Sequence, residues 1–187
     1  MQSNLIQIDN ALGNTHLGLL QDTLLSEMFG WYFHPDINHG VSENDPTKVG
    51  FVHTLIKDDN YQSDYASLFA PVMWKAIDET KEKAVRIVRF KANMTLNMTG
   101  IEKTTPHQDI ALECEPEWNL WSAIFYPFDV DGDTVFYGNN KTTETKRITP
   151  KANTMVLFDS MTFHHGFLPR VSANRIVVNV AFATLPK

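Results

Sequence analysis

VRIVRFKANMTLNM, residues 85–98, alternates from Val88 onward. Val88, Phe90, Ala92, Met94, Leu96 and Met98 share one side; Arg89, Lys91, Asn93, Thr95 and Asn97 share the other. Successive side chains of a strand point to opposite faces, so period two predicts one long β-strand with an apolar and a polar face. Downstream, turn residues separate further strand-like runs at Asn119 to Phe128, Thr134 to Tyr137, Thr143 to Ile148, Thr154 to Phe158 and Arg175 to Ala183. The last run repeats the alternation. Arg175, Val177, Asn179 and Ala181 lie on one side, and Ile176, Val178, Val180 and Phe182 on the other.

Upstream the pattern changes. Leu5 to Asp9, Phe29 to His34 and Phe51 to Lys57 predict short strands. Asn14 or Thr15 is the expected cap of a helix through Met28, where Leu17, Leu20, Leu24 and Met28 recur at helical spacing. The clearest helix is predicted over Tyr61 to Lys83. Tyr65, Leu68, Phe69, Val72, Met73, Ala76 and Ile77 form its apolar stripe, read as core packing, and Pro71 predicts a kink or a break. Pro35 to Pro46 reads as loop, and Asn38 to Lys48 is a lid candidate on length and composition. Helices early and strands late predict an α+β fold: a double-stranded β-helix, or jelly roll, with N-terminal supporting helices. One domain is expected over residues 1–187, with 1–84 as the helical lead-in and 85–187 as the metal-binding half.

Hydrophobic residues make up 43% of the 187 and aromatics 11%, enough for a core without staples. The net charge of -6, with no basic run, argues against a general nucleic-acid binder. Cys114 is the only cysteine, which excludes an intrachain disulfide and a Cys-based zinc cluster and fits a reducing cytoplasm. The opening MQSNLIQIDNAL has neither a charged n-region nor an apolar h-region, and no apolar run approaches the roughly 18 residues of a membrane span. A soluble intracellular protein is expected.

His107-Gln108-Asp109 follows the long strand. Residues i and i+2 of a strand face the same way, so His107 and Asp109 can converge on one ion. A third ligand must come from elsewhere. FDSMTFHHGFLP, residues 158–169, offers His164 and His165, which would face opposite sides of a strand. Two imidazoles and a carboxylate cover one face of an octahedral ion and leave the other open, as in non-heme Fe(II) oxygenases; Mn, Co, Ni or Zn also suit such a set. Arg175 offers a planar, two-pronged donor for the far carboxylate of a dicarboxylic cosubstrate. Arg170 is nearer the histidines, but beside Pro169 it reads as loop. An H-x-D triplet also occurs by chance, and a His pair before Gly is often bonded to backbone. The ordered set carries the reading. His16, His34, His39 and His53 lie outside the β-rich half without a spaced partner and read as ordinary residues.

On these residues, the chain from about 85 to 187 resembles the 2-oxoglutarate/Fe(II)-dependent dioxygenase superfamily, and most of all its prolyl-4-hydroxylase-like members common in bacteria and phages. The family signature is H-x-D, a distal His, and an Arg or Lys some residues later. F-x-S often precedes the distal His, and Phe158 and Ser160 fit that spacing for His164 and miss by one for His165. DGDTVF, residues 131–136, resembles the family's G-G-[DE]-T-x-F turn, with Asp131 replacing the first Gly. Ala123 to Tyr126 resembles the strand that carries a cosubstrate-contacting tyrosine, which implies that role for Tyr126. Asn97 stands where related enzymes place another contact, often Tyr. Many members carry R-x-S on the last strand; here the triplet is Arg175-Ile176-Val177, so a hydroxyl partner must come from elsewhere, Tyr126 being the candidate.

The resemblance implies a hydroxylase in which His107, Asp109 and His164 bind Fe(II) and are catalytic. Arg175, Tyr126 and Asn97 would bind 2-oxoglutarate. O2 is the co-reactant, succinate and CO2 are released, and ascorbate is a candidate auxiliary. The expected substrate is a small molecule or a peptide side chain such as prolyl, in the cytoplasm of a bacterium or phage-infected cell, with neither membrane nor nucleic acid as partner. Glu113, Glu115 and Glu117 read as a solvated loop face; bordering the mouth, they would favour a basic or neutral substrate. Trp118 and Trp121 read as core. Two rival readings stay open: a non-catalytic jelly-roll module such as a phage component, and a cupin-like metalloenzyme that uses the triad without 2-oxoglutarate.

Overall fold

The computed structural model describes residues 5–37, 49–98, 100, 103–110, 115 and 117–186. The lid candidate at 38–48, which includes His39, lies outside them, as do Glu113 and Cys114. Along the chain run β1 (Ile6–Asp9), α1 (Asn14–Leu25), β2 (Tyr32–His34), β3 (Gly50–Lys57), β4 (Asn60–Tyr61), α2 (Ala66–Thr80), β5 (Lys83–Leu96), β6 (Asn119–Tyr126), β7 (Thr134–Tyr137), β8 (Glu144–Ile148), β9 (Thr154–Asp159), β10 (His164–Gly166) and β11 (Asn174–Leu185). An eight-stranded sheet has the order β1-β9-β6-β11-β5-β3-β2, with β4 on β3, and a three-stranded sheet has the order β10-β7-β8. Every pairing is antiparallel. This is the expected jelly roll with helices before it.

The register of β5 and β11 explains why the alternation was so clean. Phe90 lies opposite Val180, Ala92 opposite Val178 and Met94 opposite Ile176. These residues join Phe125 and Leu157 in one core with Leu20 and Leu24 of α1 and Phe69, Val72, Met73 and Ala76 of α2. The helices therefore cover one face of the large sheet. On the other face Arg175 lies opposite Thr95, Val177 opposite Asn93, Asn179 opposite Lys91, and Ala181 opposite Arg89. A second core fills the space between the two sheets at one side of that face, from Ile124, Tyr126, Val156, Phe158 and Val177 on the large sheet and Phe136 and Ile148 on the small one.

Both helices are shorter than expected. Gly13 is the N-cap of α1 and makes no side-chain bond, so Asn14 is the first helical residue and not a cap. The helix stops at Ser26, and Met28 is 80% exposed, outside the stripe it was grouped with. Tyr61 belongs to β4 and Lys83 to β5, leaving α2 as Ala66–Thr80. Lys81 in the left-handed conformation (φ 57°) ends it. Pro71 sits in its second turn without breaking it, because a missing N–H there forfeits only one bond to an early carbonyl. No helix among the described residues is long and apolar enough to cross a membrane.

Candidate metal centre

His107 and His164 exchange both backbone hydrogen bonds, 2.9 and 3.0 Å, as an isolated antiparallel bridge. Directly opposed residues project to the same side, so the two rings meet with centroids 4.6 Å apart. Asp109 comes from the same short segment. Its N–H donates to the Ser160 carbonyl at 3.2 Å, and the Gln108 amide donates to the Met161 carbonyl. One carboxylate oxygen of Asp109 lies 3.7 Å from His164 Nε2. Ligand atoms of His107, Asp109 and His164 all fall within 4.8 Å of one another.

The same local device orients both imidazoles. His107 Nδ1 lies 2.9 Å from the Thr105 carbonyl and His164 Nδ1 lies 3.1 Å from the Thr162 carbonyl, each two residues earlier. A carbonyl only accepts, so Nδ1 carries the proton and Nε2 keeps its lone pair for a metal. Burial, with His164 alongside, holds His107 down to about 4, so it is neutral at pH 7. Burial alone would raise Asp109, but His164, Arg89 and His107 outweigh it and hold the carboxyl at about 2. With a metal bound, two neutral imidazole ligands and one carboxylate would together carry a single negative charge, which suits a divalent cation.

His165 points the other way. It is fully buried, stacks on Tyr137 at 5.4 Å, and neither ring nitrogen has a hydrogen-bond partner. Of the two neighbours only His164 reaches the triad. Its strand, β10, has no counterpart among the runs read from the sequence, because three residues are too few to show alternation.

Arg175 is buried beside the triad. Its Nε donates to the Gly132 carbonyl at 2.8 Å and its Nη2 to Thr134 Oγ1 at 2.7 Å. Gly132 has φ +105°, and a Cβ there would stand 2.7 Å from the Phe167 carbonyl, so only glycine lets the chain pass the arginine. A narrow cleft of about 50 Å³ joins Arg175, Thr134, Asn93, Thr95 and Asn179 to His107 and His164. The amide oxygens of Asn93 and Asn179 are buried there without a partner. A cation and unsatisfied polar atoms at one end, and metal-ligand nitrogens at the other, fit a short diacid that chelates a metal.

Two expected cosubstrate contacts stand elsewhere. Tyr126 is fully buried behind the cleft, and its hydroxyl donates to Thr134 Oγ1 at 2.7 Å. Asn97 is exposed beyond the end of β5, where its amide donates to the Arg170 carbonyl at 2.8 Å. Asn93 and Thr95, earlier on the same strand face, occupy the cleft instead. Thr134 was missed, although it lies inside the DGDTVF motif. The Asp131 departure also has a use: its carboxylate accepts the N–H groups of Arg170, Val171 and Ser172 and so fixes the loop leading into β11.

A family model described as the 2OG-Fe(II) oxygenase superfamily matches residues 94–183. Residues 94–183, which include His107, Asp109, His164 and Arg175, are thus matched as a 2OG-Fe(II) oxygenase domain. Among solved structures, the oxygenase is similar to a prolyl hydroxylase from Trichoplax adhaerens, in complex with a hypoxia-inducible-factor peptide fragment. That match has TM-score 0.69 and 14% identity and covers 97% of this chain and 84% of that one. A Pseudomonas putida prolyl-4-hydroxylase gives TM-score 0.66 and 13% identity over 99% and 94% of the two chains. The non-heme α-ketoglutarate-dependent epimerase SnoN of nogalamycin biosynthesis gives TM-score 0.66 and 13% identity over 97% and 78%. Comparison with curated proteins finds no match. The oxygenase thus shares its fold with enzymes of more than one reaction, and its family implies Fe(II), 2-oxoglutarate and O2 as reactants. Neither finding favours a non-catalytic module.

Proposed function

We propose that the whole chain is one catalytic domain in which His107, Asp109 and His164 bind Fe(II) and Arg175 binds the C5 carboxylate of 2-oxoglutarate, for hydroxylation of a prolyl or other peptide side chain. The observation that carries this reading is the shared tautomer of the two histidines, each with Nδ1 on a carbonyl and Nε2 turned to Asp109's side of the site. A structural histidine pair has no need to hold both Nε2 atoms free. The chemistry supplied by Fe(II), 2-oxoglutarate and O2 at such a site is oxidative decarboxylation to succinate and CO2, coupled to oxygen transfer to the substrate.

The chain's own residues hold and shield. Thr134 Oγ1 accepts from both Tyr126 and Arg175, which uses both of its lone pairs. Its proton must then point into the cleft, toward whatever acceptor lies beside Arg175. Burial pushes the Tyr126 phenol up, so it stays a donor and keeps Thr134 in that orientation. Thr134 thereby supplies the hydroxyl that the last strand lacks, and Tyr126 positions it without touching the cosubstrate. Phe136 and Phe158 pack on the His164 ring at 5.8 and 4.8 Å and close that side to water. Asp109 stays ionised because Arg89 donates to its Oδ1 and to its carbonyl, both at 3.3 Å.

Anaerobic titration with Fe(II) and then 2-oxoglutarate tests the reading. The weak visible charge-transfer band of chelation is expected at one equivalent, roughly, of each. Succinate should form only with iron and vanish in His107→Ala. A protein that takes up iron yet gives no band with 2-oxoglutarate would refute the cosubstrate assignment and leave the cupin-like reading.

A further inference from the structure

The polar face of β5 carries four side chains in a row: Arg89, Lys91, Asn93 and Thr95. Thr95 pairs with Arg175 at the cosubstrate end, and Arg89 and Lys91 lie at the other, about 13 Å along the strand between Lys91 and Thr95 at the usual rise. That far end opens a separate cavity of about 340 Å³, walled by His34, Thr54, Lys57, Arg89, Lys91 and Asp109. It shares Asp109 with the metal centre but not Arg175.

The cavity holds more positive charge than its walls neutralise. Lys91 is 4% exposed, and its only hydrogen bond among the described residues runs from Nζ to the Ile37 carbonyl at 3.2 Å. It forms no ion pair with a carboxylate among the described residues; Asp109 and Asp36 act on it only from farther off and do not offset its burial. Arg89 spends only Nη2 on Asp109, leaving Nε and Nη1 without a partner among the described residues. Asp58 is engaged by Arg86 at 2.8 Å. Asp109 has its charge committed to the metal site. In a chain of net charge -6, a buried ammonium beside a guanidinium is not a general surface bias. An ammonium buried against one carbonyl is costly, and an apolar residue would fill the space without that cost. Burial and then Arg89 press Lys91 down to about 7, a strain that an anion in the cavity would relieve.

We infer that this cavity receives an anionic group of the primary substrate, a carboxylate or a phosphate, held by Lys91 and the free edge of Arg89. The inference rests on the oxygenase reading for the word substrate, and it places the substrate's anion on the opposite flank of the metal from the anion of 2-oxoglutarate. The two ends differ in donor geometry. Arg175 offers a fixed fork with Thr134, whereas Lys91 offers a point charge and Arg89 an open edge, so the two acids are sorted by shape. Of the described acidic residues after the H-x-D, Glu115 and Glu117 are exposed and do not line the cavity.

The test uses three matched probes: N-acetyl-glutamate α-amide, N-acetyl-phosphoserine amide, and the neutral N-acetyl-glutamine amide. Each is titrated calorimetrically into the full chain, once metal-free and once anaerobically loaded with Fe(II) and 2-oxoglutarate. At least one acidic probe should bind tenfold or more tighter than the neutral one, and whichever does identifies the anion. Lys91→Met should erase that preference, keep the charge-transfer band, and raise the melting temperature. Equal binding of acidic and neutral probes, or no binding by any, overturns the inference. So does a lower melting temperature or a misfolded Lys91→Met, which would make Lys91 a strut for the Ile37 carbonyl. If the wild type gives no band, the oxygenase reading fails, while the metal-free titration still decides the anion site.

Discussion

The two faces of the large sheet are buried for different reasons. The face toward α1 and α2 is apolar but for His53, which lies opposite Ala92: Phe90, Ala92, Val178, Val180 and Phe182 are at most 1% exposed and belong to one apolar core. The opposite face carries Lys91, Asn93, Thr95 and Arg175, each under 9% exposed, on the same two strands. The first face is stabilised by removal of hydrocarbon from water. The second gains that only where Ile124, Tyr126, Val156, Phe158 and Val177 meet the small sheet; around Lys91 and Arg175 it does not, and two of its amides, Asn93 and Asn179, hold buried oxygens without partners. Buried polar groups left unsatisfied are costly, which supports the proposed ligand cleft on that face.

The comparison breaks most sharply by removing a ligand from the polar face. His107→Ala should abolish stoichiometric Fe(II) uptake and reduce succinate formation to background, with the fold intact by circular dichroism. Retained uptake would place the metal elsewhere. On the apolar face the expected loss is of stability instead. Phe90→Ala should cost about 3–5 kcal/mol, the usual range for an emptied aromatic site in a core. Asn93→Ala, one face over, should cost less than about 1 kcal/mol, because its amide oxygen has no bond to lose. Urea unfolding of the pair measures both, and equal costs would mean that the polar face is ordinary core.

The apolar face was legible because burial there follows period two, and the H-x-D pair because two residues of one segment face the same way. Arg175 was legible for the same reason, from the alternation of β11. What the sequence hid is contact across the fold. Tyr126 and Asn97 were assigned by spacing from a motif, but the register of β6 and β5 turns one behind Thr134 and carries the other past the cleft. His34 read as ordinary because no partner is near it in sequence; Lys91 and Arg89 come to it only when β3 and β5 pair. Lys91 itself looked like one more polar residue on a solvated strand face. Nothing local says that Ile37 and the Asp109-Ile110 segment will close over it.

Two buried histidines sharpen the contrast through pH. Burial holds both His107 and His165 at about 4, while in the unfolded chain each titrates near its ordinary 6.5. Between those values the unfolded chain binds more protons than the folded one. Stability of the metal-free protein is therefore complete above about pH 6.5 and falls as pH drops toward 4, by about 1–3 kcal/mol for each ring. Unfolding at pH 7, 6 and 5 measures the slope. His165→Phe should halve it and stabilise the protein at pH 5, since that ring has only stacking partners to keep. A profile flat with pH would contradict the buried neutral state of both.

The smallest effect concerns the hydroxyl beside Arg175. Thr134→Val keeps the shape of the side chain and removes one atom that does three things: it accepts from Tyr126, accepts from Arg175, and donates into the cleft. The donation to a carboxylate is worth roughly 1.5 kcal/mol, so 2-oxoglutarate should bind about tenfold more weakly by the charge-transfer titration, with iron affinity unchanged. Tyr126→Phe separates the parts. It leaves Arg175 and the donated proton in place and removes only the group that orients Thr134, so its effect should be smaller than that of Thr134→Val. If Tyr126→Phe instead weakens 2-oxoglutarate as much as Thr134→Val does, the phenol contacts the cosubstrate directly, and the buried position of Tyr126 must open when the cleft fills.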